Sequence, residues 1–332
     1  MANKGLLVHT ALGLYCPRAD VYLDPWKPVK KAILSHGHAD HARWGSSSYL
    51  CTPTAAPVIK YRLGDINLET LPFGEEKLIN GVSFSFHPAG HILGSAQIKV
   101  SYKGEIVVFS GDYKTANDGF SEAFEPVKCH TFITESTFGL PVYHWQDQKW
   151  VFNEMEEWCK NNRNNGQLSI LYGYSLGKAQ RILQGLPESV GPIFTHSTIE
   201  AVLNVMRNQG VSLKNTIPVN EHLARAELLS GVIIAPPAVQ NSNWLKKFEP
   251  IRNGVVSGWM ALRGARRRRN ADKGFVLSDH ADWEGLNEAI SLTGAENVFV
   301  THGYTDILSK WLIDKGLNAH PLETNFEGDE VL

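Results

Sequence analysis

The segment His36-Gly37-His38-Ala39-Asp40-His41 sets three imidazoles and a carboxylate within six residues, directly after the apolar run Ala32-Ile33-Leu34. Imidazole nitrogen and carboxylate oxygen are the donors that borderline divalent cations such as zinc and manganese prefer. A spacing of i, i+2 at the end of a strand puts His36 and His38 on one side, where a single ion can take both. Asp40 and His41 follow as the chain turns and can face a second ion. A polar loop would have to assemble these ligand-type residues in order by coincidence. The segment reads as a metal site.

Two loops further along carry the same kinds of side chain. They are Pro88-Ala89-Gly90-His91-Ile92-Leu93-Gly94-Ser95 and Ser110-Gly111-Asp112-Tyr113. Each places one ligand-type residue beside glycine, where the backbone can come close to an ion or phosphate. Singly, such a residue is more often a hydrogen-bonded turn residue; with residues 36–41, His91 and Asp112 supply the ligands that the first cluster lacks. Later, residues 275–283 and 297–303 each run from a short apolar strand into a histidine, with helical character over residues 283–294. That β-α-β rhythm puts His280 and His302 at strand ends, where open sheets present their sites.

The elements that must position these residues are short. Val82-Ser83-Phe84-Ser85-Phe86 alternates with period two, and residues 97–102 and 105–110 predict a hairpin about Lys103-Gly104. Between Phe138 and Asn270 the texture changes. A helix is expected over residues 144–163 with Trp150, Met155 and Trp158 as buried positions, then a strand over 167–172. Ser175 reads as the N-cap of a helix reaching residue 183. A strand over 192–195, a helix over 198–209 and a strand over 231–235 follow. Such alternation predicts a parallel sheet with helices on both sides.

At 332 residues the chain would ordinarily make two domains. Its 32 basic and 34 acidic side chains nearly cancel, so any surface for a polyanion must be local. Cys16, Cys51, Cys129 and Cys159 lie far apart and form no C-x-x-C, which reads as reduced thiols. No apolar run is long enough to span a membrane and residues 1–5 lead into no signal-peptide core, so a soluble cytoplasmic enzyme without a membrane partner is the expectation.

The ordered set His36, His38, Asp40, His41, His91, Asp112, Glu135, His280 and His302 resembles the metallo-β-lactamase fold in its β-CASP branch, the nucleic-acid-processing nucleases. Within that branch the chain is most similar to the bacterial ligase-associated exonucleases of the DNA damage response. The likeness rests on Ser257-Gly258-Trp259-Met260-Ala261, Gly264-Ala265-Arg266-Arg267-Arg268-Arg269, residues 277–283 and Val300-Thr301-His302-Gly303-Tyr304, and it covers nearly the whole chain. It implies an α/β architecture, a four-layered αββα catalytic domain from residues 1–137 and 271–332 with an α/β β-CASP cap domain inserted over residues 138–270. It also implies two divalent metal ions, zinc or manganese. His36, His38 and His91 would hold one, Asp40, His41 and His302 the other, with Asp112 bridging. Asp40 counts among the catalytic residues as well. Asp24 matches the aspartate that orients the cluster, although a turn residue before Pro25 fits the residues equally well. Glu135 and His280 match the branch's acidic and histidine motifs, which implies a contact between them near the leaving group.

The chemistry points the same way. Hydrolysis of a phosphodiester needs an activated water and neutralised phosphoryl oxygens, which two bridged ions provide. The departing alkoxide needs a proton, and His280 could give it with Glu135 beside it. Ser175, Lys178 and Arg181 could meet a phosphate at a helix N-terminus or form a solvated face. The run Arg266, Arg267, Arg268 and Arg269 would bind phosphates of an entering strand, the competing reading being a solvated face. His196 could line the substrate or be structural, His87 is left out of the metal set, and Trp244 and Trp259 could stack bases or be buried.

These readings predict a DNA exonuclease that trims ends in repair, acting on single-stranded or end-exposed DNA beside a DNA ligase and a helicase of the same pathway. His302 keeps open an RNA-processing nuclease of the branch, where histidine is usual at that place. A small-molecule hydrolase would need neither the insert, the arginine run nor the Glu135/His280 pair. A non-catalytic scaffold would have lost ligands, and none is missing.

Overall fold

Strand alternation decides the layers of the first part of the molecule. In and just after Lys31–Ile33, Ile33 points to one apolar cluster while Ala32 and Leu34 point to another. Along Glu105–Phe109, Val107 and Phe109 face the first cluster and Val108 a third. Strands apolar on both faces must be covered on both. A six-stranded sheet running in chain order from Val8–Thr10 to Leu68–Thr70 therefore stacks on a seven-stranded one. Leu14, Leu23, Ile33 and Leu50 of the first meet Phe84, Ile98, Val100 and Phe109 of the second. Each such buried side chain contributes about 1.5–3 kcal/mol. Helix Ala56–Leu63 covers the outer face of the first sheet, and helices Trp283–Thr293 and Thr305–Asp314 that of the second. The result is the αββα stack expected from the sequence.

The computed structural model describes residues 5–240, 242–268 and 271–324, without the side chains of Arg266 and Arg268. Within it the chain forms two compact units, one from Met1–His144 with His280–Leu332 and one from Trp145–Asp279. These limits differ from 138 and 270. Strand Lys273–Phe275 pairs with Ile251–Val256 of the second unit. Phe138 and Tyr143 meet edge-to-face with ring centres 4.8 Å apart, and the Tyr143 hydroxyl lies 3.2 Å from that of Tyr304 in the first unit.

In the first unit, strands Ala96–Tyr102 and Glu105–Phe109 pair antiparallel. Lys103 and Gly104 turn between them with φ of 49° and 88°, the doubly left-handed turn that matches strand twist. The second unit holds a six-stranded sheet whose pairings are all parallel, with Leu168–Tyr172 between Val232–Ala235 and Ile251–Val256. Leu171 and Ile234 face one helical layer, Ile170 and Ile233 the other.

One buried position was misread. Helix Gln148–Asn164 starts on the Asp147 side chain, which accepts from Lys149 N at 2.8 Å. Its buried stripe is Val151, Phe152, Met155 and Cys159, the spacing of a helical face. Trp150 falls off that stripe and is 70 % exposed, while Trp158 is half-buried. The four cysteines are free and buried; burial pushes the Cys51 thiol up to about 12 and those of Cys129 and Cys159 up to about 11. Among the described residues no helix is long and apolar enough to cross a membrane.

Helix Lys178–Gly185 packs closely on Phe152, and a Cβ on Gly185 would meet that ring at 1.9 Å. Alanine gains roughly 1 kcal/mol over glycine in a helix, whereas overpacking costs typically 1–3 kcal/mol. With a contact this short the clash prevails. Gly185→Ala should lower stability by about 1–2 kcal/mol in a denaturant titration, and a variant as stable as the parent would show that the ring can move aside.

Candidate metal centre

The loop from His36 to His41 is not a strand end. Strand Lys31–Ile33 stops before it, and the segment is held as a turn by Ala42 N donating to His38 O and by Arg62 donating to Gly37 O. The turn still brings the imidazoles together. His38 Nδ1 lies 3.0 Å from His36 Nε2 and 3.0 Å from His91 Nε2. Asp112 Oδ2 lies 3.6 Å from His36 Nε2 and 3.7 Å from His91 Nε2. Nitrogen or oxygen ligands about 2.0–2.1 Å from a tetrahedral ion stand roughly 3.3 Å apart. The observed separations bracket that value, so the donor set fits a divalent cation in type and spacing.

Asp40, His41 and His302 form a second buried group. His41 Nε2 is 3.6 Å from Asp40 Oδ2 and 3.4 Å from Asp112 Oδ2. One oxygen of Asp112 therefore borders both groups. Burial alone would raise its pKa; the charge and hydrogen bond of His41, then His302 and His280, outweigh it and hold the carboxyl well below the usual range. Burial, reinforced by His41 and His38, lowers the His36 pKa well below that of free imidazole, which keeps a ring nitrogen open to a cation. Burial works against charge on His41 too, but Asp112 and Asp40, with hydrogen bonds to Asp112 and Asp24, raise its pKa.

Asp24 lies behind both groups. Its carboxylate accepts from Ser35 N at 2.7 Å, from the Ser35 hydroxyl, and from His41 Nδ1 at 2.7 Å. The Ser35 hydroxyl is in turn 2.9 Å from His36 Nδ1. Each ring is thereby turned so that Nε2 faces its group. Asp24 and His302 hold φ of 39° and 56°, a left-handed conformation that non-glycine residues seldom adopt. The glycines beside His91 and Asp112 serve close approach, but to neighbouring protein atoms. A Cβ on Gly90 would meet Lys114 O at 2.2 Å, and one on Gly111 the Ser35 side chain at 2.6 Å.

Next to the first group, His280 Nδ1 lies 2.9 and 3.0 Å from the two oxygens of Glu135. Glu135 also accepts from Tyr113 N at 2.7 Å and from the Thr137 hydroxyl. The His280 ring centre is 4.6 Å from that of His91. His87 stays apart, with Ser85 and Glu125 as neighbours.

The candidates of the second unit fare differently. Lys178 is buried, donating to Leu277 O at 3.0 Å and lying 2.9 Å from Asp279 Oδ2, so it is not available to a substrate phosphate. Arg181 is engaged in the same way. Ser175 does not cap the helix. Gly177 does, its N donating to Gln180 Oε1 at 2.6 Å, while the half-buried Ser175 lies 3.5 Å from Thr198 Oγ1. Arg267 is exposed on helix Arg263–Arg268; the side chains of Arg266 and Arg268, and all of Arg269, lie outside the described residues. His196 caps helix Ser197–Asn208 through Thr198 N and packs on Trp244, and burial lowers its pKa. Trp259 is half-buried. Ser35 and Thr137 were missed; Ser35 directly precedes a histidine of the site, a signal too common to weigh alone.

No protein-family model matches the chain. It is 31 % identical over 311 residues to a probable DNA ligase of Opitutus terrae, a match covering 92 % of this chain and 30 % of that protein. It is 23 % identical over 352 residues to cleavage and polyadenylation specificity factor 73 of Drosophila melanogaster, covering 86 % and 51 %. An RNase J-like protein of Methanocaldococcus jannaschii is 29 % identical over 184 residues, covering 47 % and 43 %. The chain thus spans between about a third and a half of these relatives. A crystal structure of a protein of unknown function from Enterococcus faecalis V583 superposes with a TM-score of 0.58 at 12 % identity, covering 90 % of this chain and 80 % of that one. By its sequence relatives the chain belongs to the metallo-β-lactamase fold in its β-CASP form. In the β-CASP chain the buried histidine and aspartate groups are where metal ions could be held.

Asp24→Asn preserves side-chain volume and tolerates the left-handed backbone while removing the charge that both rings lean on. Metal affinity should fall by roughly 10–100-fold, as for other residues that orient metal ligands. Competition titration with a chelating dye reads this directly, and unchanged affinity would show that the ligands hold their orientation without Asp24.

Proposed function

We propose that this β-CASP protein is a two-metal phosphodiesterase that degrades nucleic acid, an exonuclease processing DNA ends for repair in association with a DNA ligase. The observation that carries the reading is Asp112 Oδ2, at 3.6 and 3.7 Å from the first ligand group and 3.4 Å from His41 of the second. His36, His38 and His91 would hold one ion and Asp40, His41 and His302 the other, zinc or manganese, with Asp112 shared. Bound there, the ions would lower the pKa of water in the site and neutralise charge on the phosphoryl oxygens.

The chain's own residues supply the remaining step. Glu135 is held by Tyr113 N and Thr137 and takes His280 Nδ1 between its two oxygens. An imidazolium fixed in that way presents its Nε2 proton to the oxygen of a departing nucleotide. Small, acidic leaving groups do not need that proton; the alkoxide of a sugar does. The pair therefore favours a polynucleotide over an activated ester.

The name of the Opitutus relative supports the ligase partnership; a helicase of the same pathway and single-stranded or end-exposed DNA as substrate belong to the same proposal. A second reading, RNA processing, is favoured by the names of the Drosophila and Methanocaldococcus relatives and by His302. Incubating the purified protein with end-labelled single- and double-stranded DNA and RNA, with manganese or zinc, separates the two. Cleavage of RNA alone would overturn the DNA reading, and cleavage of neither would overturn both.

His280→Ala should keep its metal content and lose roughly 10²–10⁴ in turnover of DNA, the usual range for a general acid. Loss of metal by elemental analysis would make His280 a ligand instead.

Arg267 and its neighbours on helix Arg263–Arg268 are proposed to contact substrate phosphates. Neutralising two of them should flatten the salt dependence of single-strand binding by about 0.7 per lost contact. Turnover of bis-p-nitrophenyl phosphate should barely change; equal losses on both substrates would mark the run as a fold element.

A further inference from the structure

In the second unit two cations are buried on one carboxylate. Lys178 and Arg181 lie one turn apart on helix Lys178–Gly185, at 2 % and 4 % exposure, and Asp279 is 6 % exposed. Lys178 Nζ is 2.9 Å from Asp279 Oδ2, and the guanidinium of Arg181 is 3.1 Å from Asp279 Oδ1. Lys178 also donates to Leu277 O at 3.0 Å, and Arg181 to Ser278 O. A second Arg181 nitrogen reaches Gln148 Oε1 at 3.1 Å. Gly173 leaves room for the arrangement, since a Cβ there would come within 2.9 Å of Lys178 Cγ.

Nothing about the helix calls for this. Positive charge is unfavourable in the first turn of a helix. Desolvating each ion costs several kcal/mol, and one carboxylate cannot neutralise two cations. What the two cations have in common is the segment they hold, Leu277-Ser278-Asp279, gripped at two successive carbonyls and one side chain. Strand Lys273–Phe275 has ended before it, so no sheet ladder fixes this stretch. The next residue is His280. On its other side the chain is tied by Ala281 N to Tyr113 O at 2.7 Å, and by Asp282 capping helix Trp283–Thr293.

We propose that Lys178, Arg181 and Asp279 are positioning residues that fix the backbone leading into His280, and so the place from which its imidazole delivers a proton. The proposal rests on the reading of His280 as proton donor given above. A displacement of about 1 Å at a reacting group can cost 10²-fold in rate, which gives a three-residue anchor ahead of the imidazole a kinetic purpose.

Lys178→Met is the informative variant, because it leaves a neutral Arg181–Asp279 pair and no stranded charge. Its turnover is compared on an ordinary polynucleotide and on one with sulfur in place of the leaving oxygen, which departs without a proton. Hydrogen exchange is followed over residues 277–280 in the same protein. The expected result is a fall in kcat of about 10–100-fold on the oxygen substrate, with KM and metal content kept. The sulfur substrate should be nearly unaffected, and exchange should be faster at residues 277–280 and unchanged elsewhere. Arg181→Lys should retain more of the oxygen-substrate rate than Arg181→Met. Equal losses on both substrates, or a drop in metal content, would make the cluster a fold element and overturn the proposal, as would undiminished kcat. If the parent protein cleaves neither substrate, the nuclease reading fails by itself; exchange then decides the anchor, and an unchanged rate at residues 277–280 in Lys178→Met overturns it.

Discussion

The carboxylate of Asp24 is fully buried and accepts hydrogen bonds from a backbone amide, a serine hydroxyl and an imidazole. A buried charge survives only when its lone pairs are met, and removing one partner from such an arrangement costs roughly 3–5 kcal/mol. Here the same bonds that make Asp24 tolerable set the orientation of His41 directly and of His36 through Ser35. The two groups of ligands are consequently not independent. A rotation of one ring that freed Asp24 Oδ2 would disturb the other, and Asp112 Oδ2, bordering both, would lose its common position. Much of the first unit serves this point. Tight turning after Lys31–Ile33 brings the loop over Asp24, and Gly111 lets the next loop close against Ser35.

The ligand-type residues were legible because their chemistry is rare in combination and because the ordered set resembles a known branch of hydrolases. Their placement was legible only in part. The pleat argument paired His36 and His38, which the structure does bring together, but a turn rather than a strand end joins them. Sequence spacing could not distinguish these, because both put i and i+2 side chains within reach of one ion. The layers were readable from alternation, as at Ile33 against Ala32 and Leu34, where the period of two survives even in a short strand.

Side chains whose role depends on remote partners were not readable. Lys178 has the local context of a phosphate ligand, a cation at the start of a helix after a glycine-bearing turn. Its actual partner is Asp279, far along the chain, and only the fold brings them together. Trp150 failed for a simpler physical reason. Once Asp147 sets the helix start, the buried stripe is fixed by the helical period, and a large apolar residue off that stripe has no core to enter.

The Glu135–His280 pair adds a constraint that ion binding does not explain. Glu135 could have faced the ligand-type histidines as Asp112 does; instead Tyr113 N, Thr137 and His280 Nδ1 occupy its oxygens. That leaves a histidine beside the ligand-type groups whose Nδ1 is committed to a carboxylate. A site for activated esters has no use for such a group, because its products leave as stable anions. A site that expels a sugar alkoxide does. On the proposed function, the histidine next to the ligand-type groups would therefore narrow the chemistry in a way that those groups by themselves do not.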